Sequence, residues 1–250
     1  MGLERAEESE IEVVSLRILE RIDQEAKNFQ IDLIVIGGYA VRAYTSPRSW
    51  RFTKDIDFIT TRKGLGVLHS IFELLEYDFE QKDFGIKGSK KINTDSIELH
   101  ISVDKVIDWS TRLEYRLPED IFVSARKMKV KASFEQNRGL EVEVNVAPIE
   151  DVVAMKLMTE RDRDHFDAMA VILDSFDELD LSRFAVICRQ SDLDEHIRER
   201  LRSVLADIKR GLTRKLWKEF TGRKLIREQE VKLKTSIDKL LEAMARFEGA

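Results

Sequence analysis

The first part of the chain mixes hydrophobic patterns typical of helices with patterns typical of strands. In some segments apolar residues recur every three to four positions, and in others short β-branched runs are bounded by glycine or proline. These patterns predict helices over residues 10–28, 39–44 and 65–75 and buried strands over residues 31–36 and 55–60.

A second group of strands follows further along the chain. Residues 97–103 alternate strictly between polar and apolar side chains, which is typical of a half-buried strand. Residues 127–134 and 140–146 predict a hairpin around the turn Gln136–Gly139, whose final glycine suits a position with positive φ.

Beyond Pro148 every segment has a helical pattern. We therefore predict an α+β fold in two domains. Residues 1–147 form a mixed sheet flanked by helices, and residues 148–250 form an all-helical C-terminal region.

Composition narrows the class of protein. Of 250 residues, 43% are hydrophobic, which is enough for a substantial core. The apolar runs are shorter than the roughly 18 residues that a membrane span needs, and the acidic N-terminus lacks the features of a secretory signal. We therefore expect a cytoplasmic protein without a membrane partner. The single cysteine, Cys188, rules out an internal disulfide.

Charge is unevenly distributed along the chain. The formal net charge is −5, yet residues 196–250 carry 15 Lys and Arg against 8 Asp and Glu. Within this region a basic segment at residues 209–227 also contains Trp217 and Phe220. Two interpretations stay open: the segment contacts RNA through basic and aromatic side chains, or it is an amphipathic helix whose apolar residues, with Leu212 among them, lie in the core.

Two carboxylates are the first candidate for chemistry. Because side chains alternate along a strand, Asp55 and Asp57 project from one face and Ile56 from the other. Two close carboxylates repel each other unless a cation lies between them, and oxygen ligands favour Mg²⁺. The alternative is a pair of solvated surface acids.

A glycine pair precedes them. Gly37 and Gly38 end a predicted strand and open a predicted helix, so the backbone can approach an anion and the first helical N–H groups face it. A Gly-Gly can equally be a tight turn. A phosphate site followed by a carboxylate pair is, however, the arrangement required for metal-assisted transfer of a phosphoryl or nucleotidyl group.

With this motif the sequence resembles the DNA polymerase β-type nucleotidyltransferase superfamily. The fuller string, which includes an Arg-x-Thr before the acids, is similar to the AbiEii/MenT branch of toxin-like nucleotidyltransferases. It reads Gly37-Gly38-Tyr39-Ala40…Tyr44…Arg51-Phe52-Thr53-Lys54-Asp55-Ile56-Asp57. The resemblance implies a nucleotidyltransferase-like core in which Gly37, Gly38, Arg51 and Thr53 bind the nucleotide.

The resemblance also implies a third carboxylate on an adjacent strand. Glu98 is the first choice because it lies in the body of the alternating strand, and Asp104, at its end, is the second. With Asp55 and Asp57, Glu98 would complete a site for Mg²⁺ or Mn²⁺. His100 shares this face of the strand, and we interpret it as a neighbour rather than a catalyst.

A further family feature is a lysine on a later helix, followed by an arginine and aspartates. Lys156 falls within an apolar helical stripe, so its ammonium either snorkels to solvent or points toward the triphosphate. Arg161 is a candidate phosphate ligand, and Asp164 or Asp167 is a candidate for orienting Lys156 or the incoming nucleophile. Ordinary ion pairing on the helix surface is the alternative.

Taken together, the sequence predicts an enzyme that moves a nucleotide from an NTP to a hydroxyl acceptor. The resemblance implies a toxin-like enzyme acting on a tRNA 3′ end or other RNA, paired with an antitoxin. Two alternatives are nucleotidylation of a small molecule or protein, and a non-catalytic nucleotide- or RNA-binding module.

Overall fold

The structure is a computed structural model, and it describes residues 2–82, 85–92, 95–134, 137 and 139–246. Within these residues the elements follow in the order α1 (Gly2–Asn28), β1 (Leu33–Ile36), α2 (Gly37–Tyr44), β2 (Ile56–Thr60), α3 (Arg62–Leu74), β3 (Asp78–Lys82), β4 (Gly85–Ile92), β5 (Asp95–Ser102), β6 (Lys105–Ile107), β7 (Glu114–Arg116), α4 (Ile121–Ser124), β8 (Arg126–Lys131), β9 (Glu141–Val146), α5 (Ile149–Leu157), α6 (Asp162–Ser175), α7 (Leu181–Gln190), α8 (Asp194–Arg210), α9 (Leu212–Thr221) and α10 (Arg227–Arg246). A short 3₁₀ helix (Phe176–Glu178) follows α6.

The chain forms two compact units, each assembled from several segments. Unit 1 consists of residues 1–43, 52–105 and 119–147, and unit 2 consists of residues 44–51, 106–118 and 148–250. Two segments that precede residue 148 in sequence thus belong to unit 2.

Unit 1 is built on a seven-stranded mixed sheet in the order β3-β4-β5-β2-β1-β9-β8. β2 pairs parallel with β5 and antiparallel with β1, and β1 pairs parallel with β9. The two outer pairs, β3 with β4 and β8 with β9, are antiparallel. The predicted α+β fold with a mixed sheet, flanking helices and a helical C-terminal region is confirmed.

The helices of unit 1 bury their apolar faces against this sheet and against each other. α1 packs on β9 and on α3, and α3 packs on β4. A buried ion pair lies inside this layer: the guanidinium of Arg42 donates to Glu12 at 2.7 Å, and the same carboxylate accepts from the Ser133 N–H at 2.8 Å. A buried carboxylate needs such partners, so this contact fixes α1 against the loop after β8.

Most predicted elements of unit 1 agree with the structure to within a few residues. α1 begins at Gly2 rather than near residue 10, because the preceding residues are good helix formers although they lack an apolar stripe. β3 and β4 were not predicted. Of the predicted hairpin turn, Gln136 and Arg138 lie outside the described residues, whereas Gly139 has the expected positive φ, +92°.

Unit 2 is predominantly helical. α5 packs against α6 and α7, α8 packs against α9, and α10 contacts α6, α7 and α8. Trp217 on α9 is only 2% exposed, and its ring centroid lies 5.0 Å from that of Phe166, which Phe220 approaches to 5.2 Å. Trp217 is therefore a core residue and not a platform for RNA bases, although Leu212, expected in the core, is exposed.

Within the residues that the structure describes, no helix has both the length and the apolar character that a bilayer crossing demands.

Candidate active site

The glycine pair lies where β1 ends and α2 begins. Gly37 has a φ of +67°, and a Cβ placed on it would lie 2.0 Å from Oδ2 of Asp57. A Cβ on Gly38 would lie 2.5 Å from Oγ1 of Thr53. No larger residue fits at either position without displacing its neighbour, so a carboxylate and a hydroxyl pack directly on the backbone that opens α2.

The two predicted aspartates are carried by β2 and the residue before it. Ile56 and Phe58 are buried on one face, while Asp55 and Asp57 are half-buried on the other. This alternation is the one that the pleat of a strand dictates. Both carboxylates consequently lie on the face of the sheet that borders the glycine pair.

The neighbouring strand β5 brings a third carboxylate to this face. β5 runs parallel to β2 with His100 opposite Asp57, and the backbone N–H of Glu98 donates to Oδ1 of Asp55 at 3.3 Å. Asp104, in contrast, follows the end of β5 at a φ of +61° and pairs with Arg62. Glu98 is thus beside the aspartates, and Asp104 is engaged elsewhere.

His100 connects two of these acids. Its Nδ1 lies 3.0 Å from Oδ1 of Asp57, and its Nε2 lies 3.4 Å from Oε2 of Glu98. The hydrogen bond with Asp57 raises the pKa of His100, and burial opposes this only in part. The sequence placed His100 on the correct face but gave no sign of its contact with Asp57, which is 43 residues away. We call these four residues the acid cluster: Asp55, Asp57, Glu98 and His100.

Negative charge is in excess in the acid cluster. Burial raises the pKa of Asp55, the Glu98 N–H opposes this, and the charges of Asp57 and Glu98 raise it further. The charge of Lys54, which pairs with Asp95, lowers the pKa of Asp55 only in part, and Nζ of the exposed Lys87 lies 3.2 Å from Oε1 of Glu98. A carboxylate site of this kind attracts a cation.

The chemistry of these donors fits a divalent cation such as Mg²⁺ or Mn²⁺, which prefers carboxylate oxygens. The side chains as arranged are not yet a coordination sphere, because Asp57 and Glu98 are engaged by His100 and Lys87. Accordingly, among the described residues no group of three or more His, Cys, Asp or Glu side chains is arranged to hold a metal ion. Cation binding would require these contacts to be exchanged.

The other predicted site residues lie in unit 2. Lys156 on α5 is buried, and its Nζ contacts Asp164 and, at 2.8 Å, Oδ2 of Asp167, both on α6. Arg51 reaches the same Asp167 with two parallel hydrogen bonds, Nε at 2.7 Å and Nη2 at 2.6 Å. Such bidentate pairs are among the strongest in proteins.

Arg161 extends this set toward the surface. Its Nε lies 2.6 Å from Oδ2 of Asp164, and its Nη2 lies 3.7 Å from Oδ1 of Asp108. We call the whole set the ion-pair network, whose three cations and three carboxylates are Arg51, Lys156, Arg161, Asp108, Asp164 and Asp167.

The pKa shifts in the network reflect the balance between burial and the attraction of opposite charges. Burial alone would lower the pKa of Lys156, but the charges of Asp167 and Asp164 more than offset it and raise the pKa. Burial alone would raise the pKa of Asp164, yet Lys156 holds it below its usual value. Lys156 and Asp164 are therefore both charged at neutral pH.

A protein family matches nearly the whole of this chain. The family described as "Nucleotidyl transferase AbiEii toxin, Type IV TA system" matches the chain over residues 17–248. The chain belongs to the AbiEii family. Members of this family are nucleotidyltransferase toxins, so the protein is an enzyme, and its membership implies a nucleotide substrate and an antitoxin partner. The resemblance predicted from the sequence is confirmed.

One solved structure agrees at the level of the fold. A candidate nucleotidyltransferase from H. pylori matches 94% of this chain and 97% of its own, with a TM-score of 0.52 and 12% identity. ANT(2″)-Ia, solved with adenylyl-2″-tobramycin, matches 72% of this chain and 97% of its own at a TM-score of 0.46 and 15% identity. That second likeness is too distant to inform fold or function. No curated protein matches the chain.

Proposed function

We propose that this AbiEii-family enzyme transfers a nucleotide from an NTP to a hydroxyl group at a tRNA 3′ end, assisted by Mg²⁺ or Mn²⁺. The observation that carries the proposal is the packing of Asp57 on Gly37, since an added Cβ would lie 2.0 Å from its carboxylate. A cation ligand and a phosphate-binding helix start are then adjacent, which phosphoryl-type transfer needs.

In this proposal Asp55, Asp57 and Glu98 hold the cation. The cation, when bound, neutralises charge on the phosphates and so favours attack at phosphorus. Support comes from the excess negative charge at Asp55, whose raised pKa reflects burial and the neighbouring charges of Asp57 and Glu98. His100 fixes the orientation of Asp57 through its Nδ1 contact at 3.0 Å.

The backbone opening α2 binds the triphosphate in this scheme. The first N–H groups of an α-helix lack partners within the helix, and the helix dipole favours an anion there. Gly37 and Gly38 are half-buried, and the hydroxyl of Thr53, packed on Gly38, can donate to a phosphate oxygen.

The transfer itself is a single displacement at the α-phosphorus. The acceptor oxygen forms a bond to phosphorus, the bond between phosphorus and the bridging oxygen to the β-phosphate breaks, and pyrophosphate leaves with that electron pair. Glu98 takes the proton of the acceptor hydroxyl, because its side chain lies on this face beside the aspartates and a carboxylate can act as a general base.

For unit 2 we propose that Lys156, Arg51 and Arg161 contribute to nucleotide binding, with Asp164 orienting Lys156. An ammonium has three N–H donors, and the contacts with Asp164 and Asp167 use two of them. The third is then suited to a phosphate oxygen. Arg161, whose side chain is half-exposed, can exchange one contact for phosphate in the same way.

An RNA acceptor is favoured by the charge of the C-terminal helices. Lys215 and Lys218 on α9, and Arg223, Lys224 and Arg227 after it, are exposed. Clustered cations release counterions when they contact a phosphate backbone, which makes such a surface suitable for RNA.

The test is a transfer assay with the full chain, each of the four NTPs labelled at the α-phosphate, Mg²⁺ or Mn²⁺, and total tRNA. We expect label in tRNA with one or more NTPs. Asp57→Asn should reduce the rate by about three orders of magnitude, since a metal supplies several kcal/mol of charge stabilisation in the transition state.

Asp104→Asn is the matched control because it removes a carboxylate of the same type just beyond β5. Asp104 has a φ of +61°, which asparagine tolerates, so the fold and the rate should both be retained. Label in protein or in a small molecule instead of tRNA would refute the RNA acceptor. Equal rates for both variants would refute the metal site.

A further inference from the structure

An exposed tryptophan lies on the tight loop between β6 and β7 in unit 2. Trp109 is 56% exposed, although tryptophan is among the side chains that gain most from burial. The guanidinium of Arg112, also exposed, lies 5.5 Å from the centroid of the Trp109 ring. An aromatic face and a planar cation are thus held together at the surface.

Asp108 makes this loop rigid. Its Oδ2 accepts hydrogen bonds from the Ser110 hydroxyl at 2.6 Å, the Thr111 N–H at 3.0 Å and the Thr111 hydroxyl at 2.8 Å. The Arg112 N–H donates to the Asp108 carbonyl at 2.8 Å and closes the turn. Trp109 is therefore presented on a preorganised backbone, which lowers the entropy lost when a ligand binds.

The turn itself does not require an arginine. Arg112 has a φ of +63°, a conformation that glycine adopts without strain and that L side chains rarely adopt. The arginine side chain is present although glycine would fit this backbone more easily.

The loop is also connected to the ion-pair network. Asp108, the residue before Trp109, has its Oδ1 3.7 Å from Nη2 of Arg161. Arg161 in turn contacts Asp164, the partner of the buried Lys156. Arg161 is thus connected, through the Asp108 side chain, to the loop that carries Trp109 and Arg112.

We propose that Trp109 and Arg112 form a nucleobase-binding platform, on which a base stacks against the indole while Arg161 contacts its phosphate. Stacking on an aromatic face accepts any base, and adjacent guanidinium groups provide phosphate contacts and cation–π attraction. The platform rests on the proposed function, because the base belongs either to the NTP or to an unpaired nucleotide at the RNA acceptor end.

The binding test measures fluorescence of the full chain during titration with each NTP and, separately, with a short single-stranded oligoribonucleotide. The chain has three tryptophans, of which Trp217 is buried in the core. Stacking should quench the emission of Trp109. The quench should disappear in Trp109→Phe, which keeps an aromatic ring but removes this reporter.

Affinity is measured independently by calorimetry with the same ligands. Trp109→Ala should weaken binding about ten-fold, the size expected for loss of one stacked base, and Trp109→Phe should weaken it less. Arg112→Gly should also weaken binding while leaving the melting temperature unchanged or higher, because it relieves the positive φ. Phe29→Ala, which truncates another exposed aromatic at the end of α1, is the matched control and should change nothing.

Comparing the NTPs with the oligoribonucleotide identifies the source of the base that the platform binds. If NTPs quench Trp109 and bind more weakly to Trp109→Ala, the platform binds the base of the nucleotide substrate. If only the oligonucleotide does so, the platform binds a base of the RNA acceptor. Absence of quenching with both ligands, or equal affinities for wild type and Trp109→Ala, would overturn the proposal. Because binding does not require turnover, a failed transfer assay with intact quenching in the wild-type chain would refute the proposed function and not the platform.

Discussion

The acid cluster of unit 1 and the ion-pair network of unit 2 each contain three carboxylates but differ in charge balance. In the acid cluster the carboxylates Asp55, Asp57 and Glu98 are half-buried, and the charges of Asp57 and Glu98 help to raise the pKa of Asp55. In the network each carboxylate has a cationic partner, and Lys156 holds the pKa of Asp164 below its usual value.

This difference indicates different roles. A carboxylate that the fold leaves under the influence of like charges is destabilised until a cation arrives, so its arrangement is explained by binding. A buried carboxylate with matched partners contributes to the fold, and removing one partner leaves an uncompensated charge. We therefore expect substitutions in the acid cluster to change activity mainly and substitutions in the network to change stability as well.

Lys156→Met should have the largest effect on stability. It leaves Asp164 and Asp167 buried without the ammonium that they share, and loss of one partner from a buried ion pair costs about 3–5 kcal/mol. Chemical unfolding followed by circular dichroism measures the change. Arg161→Met removes a cation from the exposed end of the network and should cost less than about 1 kcal/mol. Similar losses for the two variants would contradict the distinction between buried and exposed partners.

Gly37→Ala should have an intermediate effect that combines stability and activity. The φ of +67° is unfavourable for alanine, and the new Cβ would push against the Asp57 carboxylate. We expect a loss of about 1–2 kcal/mol from the backbone alone, together with a large loss of transfer activity.

Gly222→Ala separates the cost of the positive φ from the cost of the clash with Asp57. Gly222 has a similar φ of +69°, but nothing lies within 4 Å of the position of its Cβ. It should lose stability through the backbone and keep its activity. If Gly37→Ala and Gly222→Ala retained equal activity, the contact between Gly37 and Asp57 would have no functional role.

The pH dependence of stability should show the smallest effect, with opposite signs for the two regions. Asp164 has a pKa below its ordinary value of 3.8, so its contribution to stability is present above that pH and is lost as the pH falls below it. Asp164→Asn should thus be less stable than wild type at pH 7, and the difference should close below about pH 4.

For Asp55 the sign is reversed, because its pKa is raised and its ionised form is disfavoured by the fold. Asp55→Asn should be as stable as wild type or more stable at pH 7. Its difference from wild type should close as the pH falls toward 3.8, the ordinary value, since the carboxylate then takes up its proton. Thermal melting between pH 3 and pH 7 measures the stability of both variants relative to wild type. If both variants were less stable than wild type at pH 7, the proposed difference between the acid cluster and the ion-pair network would be contradicted.

Local patterns were sufficient for the elements that carry the glycine pair and the aspartates. β1, β2 and β5 have strong apolar or alternating patterns, and these patterns fix which side chains share a face. β3 and β4 could not be predicted in this way. Most side chains of β3 are at least partly exposed, and β4 contains Gly88 and several lysines, so both strands depend on hydrogen bonds to a neighbouring strand.

What the sequence determined by itself is the family motif: a helix opened by Gly37 and Gly38, followed by Asp55 and Asp57 on one face of a strand. Periodicity over a few residues encodes that information. Only the tertiary structure decided that β5 lies parallel to β2, so that His100 faces Asp57. Strand order and ion-pair partners depend on contacts between residues distant in sequence, and no local pattern records which distant segments will meet.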